Sequence, residues 1–230
     1  MNKSKQLNIK LIIAYASILL LGILIQIIIG IVYPQITDDR SFLLTFSSVF
    51  NLVSYFLFFS VFVYLSKDYL KAKLKQITKD PHTFAKGIVF GGVLIFSASI
   101  IASIILNHLA NGEQATNQEM LEEMFKDNFF NKISLVIYSV LFAPLVEELL
   151  FRKSVNGLFR NPIVGLIISS LTFGLLHVVS GGDYIQIIYY AALGFALGAS
   201  YMISRKNIFV PILLHMGFNA LVTFSLFLIY

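Results

Sequence analysis

Cysteine and tryptophan are both absent from the 230-residue sequence, and charged residues are scarce. Without cysteine the chain has no disulfide, no thiolate ligand for zinc or an iron–sulfur cluster, and no thiol nucleophile. Only 13% of the residues are charged and 57% are hydrophobic, against about 25% and about 45–50% in an ordinary soluble domain. These proportions exclude a soluble fold and leave little room for a separate soluble domain.

Long apolar runs predict an all-α fold, a polytopic membrane helix bundle of about seven transmembrane helices. Each run provides the roughly 20 residues that a helix needs to cross a bilayer. The predicted spans are residues 10–33, 41–65, 87–109, 132–156, 162–180, 184–204 and 208–230. The first run is longer than the core of a signal peptide and lacks a small-residue cleavage site, which predicts an uncleaved first helix.

Lysine and arginine are distributed unevenly between the two ends of these predicted helices, with 14 of the 17 on one side. That side contains Lys3, Lys5, Lys10, Lys67, Lys71, Lys73, Lys75, Lys79, Lys86, Arg152, Lys153, Arg160, Arg205 and Lys206. The other side contains Arg40, Lys126 and Lys132, together with Asp38, Asp39, Glu113, Glu119, Glu122, Glu123, Asp127 and Asp183. The positive-inside rule therefore predicts a cytoplasmic N-terminus. Because the basic residues form short clusters between apolar runs, the net charge of +5 does not indicate a nucleic-acid partner.

Two connecting segments have a distinctive composition. The lysine-rich segment 67–86 is interpreted as a basic cytoplasmic loop in contact with anionic lipid. The acidic segment 111–131 has apolar residues at three- and four-residue spacing, so it is either a short amphipathic helix on the outer surface or a solvated connector. The short, lysine-rich, tryptophan-free chain is typical of bacteria, and we expect a multi-pass protein of the bacterial plasma membrane.

Two adjacent acids, Glu147 and Glu148, interrupt the apolar run 141–151, and Arg152 follows them. Ionisable side chains within a span are costly, so they face the protein interior or a water-filled cavity and are candidates for a functional site. Residues four apart share one face of a helix, which allows Glu148 and Arg152 to pair. Glu147 points about 100° away from Glu148 and is free to face a cavity.

Two later spans each carry a histidine with a companion one helical turn away. Phe173 precedes His177, and Asn219 follows His215. Either histidine alone is explained more simply as a packed core residue. With a rise of about 1.5 Å per residue, however, Glu147, both histidines and Asn219 fall within one depth band of the membrane. Ordinary helix tilts of about 20° are enough to bring them together.

These residues resemble the motifs of the CPBP family of intramembrane proteases, also called the CAAX-processing and bacteriocin-processing (Abi) family. The family pattern is Glu-Glu-x-x-x-Arg, then Phe-x-x-x-His, then His-x-x-x-Asn or Asp. The matching residues here are Glu147, Glu148 and Arg152, then Phe173 and His177, then His215 and Asn219. The resemblance covers about residues 132–225. We therefore interpret residues 132–230 as the catalytic transmembrane core and residues 1–131 as the N-terminal helices that surround it.

The resemblance implies an intramembrane endopeptidase that hydrolyses peptide bonds of membrane-associated proteins or peptides. It implies that Glu147 and His177 activate a water, while His215 and Asn219 hold the oxyanion. The chemistry is reasonable, since a buried carboxylate is a usable general base and both imidazole and amide groups donate hydrogen bonds to a developing oxyanion. Structural or orienting roles are expected for Glu148, Arg152 and Phe173.

The same resemblance raises the question of a metal. Glu147, His177 and His215 make up a set of two histidines and one carboxylate, which zinc accepts with an open position for water. The compact His-Glu-x-x-His signature is absent, and the two motif histidines are far apart in the sequence. We therefore favour a water activated without a cofactor and keep zinc as the alternative.

Other functions fit the sequence less well. The main alternative is a CPBP-like membrane scaffold or regulator that binds a membrane signalling partner, such as a sensor kinase, without proteolysis. A transporter would use the buried acids as a proton relay, but no repeated half is visible. A serine protease of the rhomboid type needs Gly-x-Ser-Gly, and the context of Ser200 lacks the final glycine. An aspartyl protease needs two intramembrane aspartates, whereas Asp183 stands alone in a predicted outer loop.

Overall fold

The computed structural model describes residues 2–33, 39–109, 116–179 and 181–230. Within these ranges all regular secondary structure is helical. Asp38 and Glu113, two of the acids assigned to the outer side, lie outside the described residues. The helices are α1 (Lys3–Val32), α2 (Arg40–Lys79), α3 (Pro81–Leu109), α4 (Thr116–Asp127), α5 (Phe129–Leu158), α6 (Pro162–Val178), α7 (Tyr184–Ile203) and α8 (Phe209–Ile229).

The predicted polytopic helical bundle is confirmed. In the described part of the chain, six helices are long and apolar enough to cross a membrane, namely α1, α2, α3, α5, α7 and α8. The remaining predicted span is α6, which is apolar but only 17 residues long. The cytoplasmic position of the N-terminus stays a prediction, because no membrane orients the bundle.

The segment 67–86 was predicted to be a loop, and that prediction is wrong. Helix α2 continues to Lys79, and α3 begins at Pro81. Lysine and leucine are good helix formers, so the chain remains helical beyond the apolar run. The turn is confined to Asp80, whose carboxylate accepts the backbone N–H of Thr83 at 3.1 Å. Hydrogen bonds from Thr83, with the nearby Arg205 guanidinium, hold the pKa of Asp80 below its ordinary value.

Residues 111–115 of the predicted segment 111–131 lie outside the described residues, and the described part forms an amphipathic helix, α4. Its apolar residues Met124 and Phe125 are fully buried against the bundle. Its polar face is tied to the start of α2, where Arg40 pairs with Glu123 and the Ser41 hydroxyl donates to Asp127 at 2.8 Å. Helix α4 therefore packs against the end of the bundle opposite the Asp80 turn.

Helix α5, which carries the first motif, changes its winding twice. An α-helical turn at Ala143–Glu148 lies between two wider π-helical segments, Ile137–Phe142 and Leu149–Val155. Such wide turns are frequent at functional sites, because they redirect side chains on an otherwise regular helix. The two acids therefore stand in a short α-helical window whose neighbouring turns are distorted.

The core joins the two parts of the chain that the sequence separates. The boundary between residues 131 and 132 falls inside α5, near its start. Leu11 of α1 and Phe62 of α2 are fully buried in one cluster with Val146 and Leu149 of α5. The helices before residue 131 thus pack directly against the helix that carries the acids.

Candidate active site

Glu147 is at the centre of a cluster of polar side chains within the bundle. It is only 7% exposed. Its Oε2 atom is 4.0 Å from Nε2 of His177 and 3.9 Å from Nε2 of His215. The structure therefore brings together three groups that lie on three different helices, α5, α6 and α8.

His177 is fixed by its own helix and by a neighbouring tyrosine. It lies in the last turn of α6, where its Nδ1 is 2.8 Å from the carbonyl oxygen of Phe173. A carbonyl only accepts hydrogen bonds, so Nδ1 carries the proton and Nε2 faces Glu147. The imidazole ring stacks on Tyr190 with 4.7 Å between centroids.

His215 is held by the second acid of the motif. Its Nδ1 is 3.0 Å from Oε1 of Glu148. The other oxygen of Glu148 accepts the Nε–H of Arg152 at 2.8 Å, and neither of these two charged side chains is exposed. Glu148 therefore joins Arg152 to His215. The sequence indicates the pairing of Glu148 with Arg152 but not its link to His215.

Phe173 packs at the junction of these groups. The Arg152 guanidinium lies over its ring, 5.2 Å from the centroid, which is a cation–π arrangement. The ring also contacts His177 at 4.4 Å and the edge of His215 at 5.9 Å between centroids. Phe173 thus supports both histidines and covers the buried arginine with an apolar surface.

Asn219 makes a hydrogen bond to the main chain of α5 that the presence of Pro144 explains. The Ala143 N–H bonds to the carbonyl of Tyr138, five residues earlier. In that register the carbonyl of Ser139 would accept the N–H of residue 144, but proline has none. The Asn219 side-chain amide donates to the Ser139 carbonyl instead, at 2.9 Å. An NH₂ group has two hydrogens, so one remains available to a ligand.

Residues from the N-terminal half also reach the site, and sequence reasoning missed them. The Tyr55 hydroxyl of α2 donates to Oε1 of Glu147 at 3.2 Å. Its ring stacks on Tyr138 with 5.7 Å between centroids. Tyr15 of α1 lines the same cavity. The available signal was the polar pair Asn51 and Tyr55, one helical turn apart within an apolar span.

A cavity of about 300 Å³ opens beside Glu147. His177, His215 and Asn219 line it, so every side chain to which the resemblance assigns chemistry faces one space. Its wall also includes Leu121 of α4. A space of this size is at the lower end of the range for ligand pockets, about 300–1,000 Å³.

The three motif groups suit zinc in type but not in spacing. In each histidine Nδ1 faces a hydrogen-bond acceptor, as the nitrogen that does not bind the metal commonly does in zinc-bound histidines. The other nitrogen, Nε2, faces Glu147. A tetrahedral zinc ion places its ligand atoms about 3.3 Å apart, whereas Glu147 Oε2 is 4.0 and 3.9 Å from the two Nε2 atoms. Among residues 2–33, 39–109, 116–179 and 181–230, no group of three or more metal-binding side chains is spaced to hold an ion.

The fold and the site define a polytopic membrane protein with a buried glutamate–histidine centre. Residues 129–221 match the family described as type II CAAX prenyl endopeptidase Rce1-like. This match and the names of two relatives confirm the resemblance to the CPBP family. They also support the prediction of a multi-pass membrane protein.

Three bacterial relatives were found. A Mycoplasma capricolum protein without a functional name is 30% identical over 166 residues, which are 69% of this chain and 49% of the relative. The membrane-embedded CAAX protease MroQ of Staphylococcus aureus is 28% identical over an alignment that covers 65% of this chain and 62% of the MroQ sequence. YdiL of Bacillus subtilis, described only as a candidate membrane peptidase, is 28% identical over an alignment that covers 56% of this chain and 51% of the YdiL sequence.

These matches have limited extent. The aligned regions span 49%, 62% and 51% of the three relatives. No solved structure gives a significant match to the chain. The family-model match lies within the motif-bearing part of the chain, whereas the alignments with the three relatives also extend beyond it.

Proposed function

We propose that the chain is an intramembrane endopeptidase that hydrolyses peptide bonds of membrane-associated proteins or peptides, using a water activated by Glu147 and His177. The observation that carries the proposal is the convergence of Glu147 Oε2 with the Nε2 atoms of His177 and His215, at 4.0 and 3.9 Å, beside a cavity of about 300 Å³. The resemblance to a CAAX protease family supports the same chemistry.

The water would lie between Glu147 and His177. Two acceptors 4.0 Å apart can each receive a hydrogen bond of about 2.8 Å from one water molecule. Glu147 removes one proton as the water oxygen attacks the carbonyl carbon, and the negative charge passes to the carbonyl oxygen. Because Tyr55 already donates to Oε1, the free oxygen that faces the water is Oε2.

In the proposed mechanism His215 and Asn219 stabilise that oxygen. With Glu148 accepting its Nδ1–H, the His215 ring turns Nε2 toward the cavity, where this atom donates to the oxygen once it carries a proton. Asn219 has one amide hydrogen left after its bond to Ser139. Fixed donors in a water-poor site stabilise a developing oxyanion, typically by about 3–4 kcal/mol for a single donor.

The tetrahedral intermediate then breaks its C–N bond. Glu147 returns the proton to the leaving nitrogen, so the acid and base steps use one carboxyl group and the atoms balance. This gives a new carboxyl group on one product and a new amine on the other. Glu148 and Arg152 are not needed for proton transfer; they hold His215.

Hydrolysis is favoured over the scaffold alternative. A scaffold needs no buried acid directed at two histidines, and such an arrangement is costly to keep in a membrane helix. The relative MroQ is named a protease, which points the same way. We propose a membrane-associated peptide or protein as the substrate and the bilayer as the setting. Zinc remains the alternative cofactor hypothesis, with Glu147, His177 and His215 as its ligands.

The direct test is Glu147→Gln, which keeps the size of the side chain and removes the base. We expect cleavage to be lost while abundance and membrane insertion stay at wild-type levels. The matched control is Asp68→Asn, the same acid-to-amide change at an exposed position of α2 far from the cavity. The measurement compares membrane peptidomes of cells that express wild-type, E147Q or D68N protein. Peptides produced equally by E147Q and wild type would refute the mechanism.

A further inference from the structure

We infer that the substrate reaches Glu147 from the α4 end of the bundle, the lysine-poor end, so that the protein cleaves peptide segments presented at that face of the membrane. This inference rests on the proposed endopeptidase function and adds the side from which the substrate comes. It depends on the shape of the cavity, the closure of the opposite end and the distribution of charge.

From Glu147 the cavity extends toward the start of α5. Along α5 its wall continues through Ala143 and Ser139, toward the N-terminal end of that helix. On α2 it includes Asn51, four residues nearer the helix start than Tyr55. Its far wall is built by α4. Since α4, the start of α2 and the start of α5 share one end of the bundle, the cavity leads to that end.

The opposite direction is closed. Phe151 and Phe173 pack edge to face at 5.2 Å and form the floor beneath Glu147. Leu149 and Ile208 belong to the same buried cluster and have no exposed surface, and the ion pair of the first motif is buried as well. Buried side chains in a protein interior pack closely, so this cluster blocks the way of a peptide from the lysine-rich end.

Helix α4 stands beside the opening and does not seal it. Its first residue is held by the Asp183 carboxylate, which accepts the Thr116 N–H at 2.8 Å. Gln118 and Met120 nevertheless line the cavity, and Met120 is 45% exposed, so the wall that α4 makes is continuous with the outer surface. The Gln118 amide and the Met120 side chain therefore lie where an incoming peptide passes.

The charges at the two ends assign the opening to a face of the membrane. Only three of the 17 lysine and arginine residues belong to the α4 end, and the other 14 belong to the closed end. The positive-inside rule places the lysine-poor end outside the cell. The substrates expected from this geometry are exported peptides or outer segments of membrane proteins, not cytoplasmic tails.

The absence of cysteine makes the test clean, because single-cysteine variants have no background reaction. Three positions are used: Gln118→Cys at the opening, Ser139→Cys inside the cavity and Lys75→Cys on the exposed surface at the closed end. A membrane-impermeant maleimide is added to intact cells and to permeabilised cells. We expect the cysteines at 118 and 139 to react in intact cells, and the cysteine at 75 to react only after permeabilisation.

Other labelling patterns would overturn the inference. Reaction at 139 from the same side as 75 would place the opening at the lysine-rich end. Reaction at 118 and 139 only after permeabilisation would place the opening on the cytoplasmic face. No reaction at 139 from either side would show that the cavity has no open path. None of these readouts needs proteolysis, so a failure of the proposed function is distinguishable from a failure of the inference.

An activity measurement then links the opening to cleavage. The purified Q118C and K75C variants are incubated in detergent with quenched fluorescent casein, before and after reaction with a polyethylene glycol maleimide. We expect the modified Q118C protein to lose at least tenfold in cleavage rate and the modified K75C protein to lose none. Wild-type cleavage by modified Q118C would exclude the opening at α4. Absence of cleavage by every unmodified protein, wild type included, would count against the endopeptidase function.

Discussion

The Tyr55 hydroxyl donates a hydrogen bond to Oε1 of Glu147 at 3.2 Å, which ties α2 to the acid at the centre of the site. The Tyr55 ring is itself held by stacking on Tyr138. One carboxylate oxygen is thereby fixed, and the other is turned toward the two histidines. Tyr55 acts as a positioning residue for the proposed general base.

Replacing Tyr55 with phenylalanine tests this role, because only the hydroxyl is lost. A hydrogen bond to a charged group is worth about 1.5–3 kcal/mol, and each 1.4 kcal/mol corresponds to about a tenfold change in rate. We expect Tyr55→Phe to lower kcat about tenfold with little change in KM. The measurement is steady-state cleavage of quenched fluorescent casein by the purified variants.

The control for this variant is Tyr69→Phe. Tyr69 lies on the same helix, and its hydroxyl is 3.4 Å from that of Tyr201 in a partly buried contact remote from Glu147. We expect its kcat to equal that of the wild type. If both variants lost activity equally, or if Tyr55→Phe raised KM alone, the hydroxyl of Tyr55 would have no special role at the base.

The parts of the site that follow from one helix could be predicted from the sequence. Residues four apart face the same way, so the contacts of Glu148 with Arg152 and of Phe173 with His177 are local consequences of helical geometry. The bond from His215 to Glu148 is different, because it depends on how α8 packs against α5. Packing of two helices is set by many side chains together, and spacing within one helix does not reveal it.

The fold likewise has parts that the sequence predicts and parts that it does not. Hydropathy identifies the apolar part of each span, because that part must match the thickness of the bilayer. It does not locate the end of a helix that continues into water, so the span predicted at residues 41–65 belongs to a helix that ends at Lys79. Helix α4 illustrates the opposite case, since its 12 residues are polar on average and only the burial of one face shows that it packs on the bundle.

Arg152 is expected to matter for folding more than for chemistry. Arg152→Met leaves the buried Glu148 carboxylate without its cation, and breaking such a pair costs about 3–5 kcal/mol. Total stabilities are about 5–15 kcal/mol, so we expect a marked fall in the amount of protein in the membrane. Glu147→Gln keeps an acceptor for the Tyr55 hydroxyl and leaves the pair of Glu148 with Arg152 intact, so it should accumulate normally. Quantitative immunoblots of membrane fractions measure the difference.

The double variant Glu148→Gln, Arg152→Met separates structure from function. It removes both charges, so we expect abundance to return toward the wild-type level. Cleavage should stay low, because an amide at position 148 does not hold the His215 ring as the Glu148 carboxylate does through its contact with Nδ1. Equal abundance of the single and double variants would contradict the role given to the ion pair.

Asn219 and Pro144 are expected to be energetically coupled through the Ser139 carbonyl. Asn219→Ala leaves that carbonyl without its donor, which costs about 1–3 kcal/mol when the group is buried. In a Pro144→Ala background, residue 144 has an N–H that can bond to Ser139 in the π-helical register. We expect the Asn219→Ala loss to be about 1 kcal/mol smaller in that background, measured by denaturant unfolding in detergent.

The control replaces a proline that breaks no helical bond. Pro162 lies at the first position of α6, where the N–H would be unpaired in any case. The effects of Pro162→Ala and Asn219→Ala should therefore add. Coupling of the same size with Pro162→Ala and with Pro144→Ala would show that the effect is general and that Ser139 is not the link.

Metal removal distinguishes the two ways of activating the water. With Glu147 Oε2 at 3.9–4.0 Å from both imidazoles, a water shared between carboxylate and histidine fits the site more closely than a tetrahedral zinc ion does. We expect purified protein dialysed against a strong chelator to keep its full cleavage rate, with less than one zinc per ten chains by elemental analysis. Added zinc should not raise the rate. Loss of activity on dialysis, restored in proportion to the zinc bound, would establish the metal-dependent alternative.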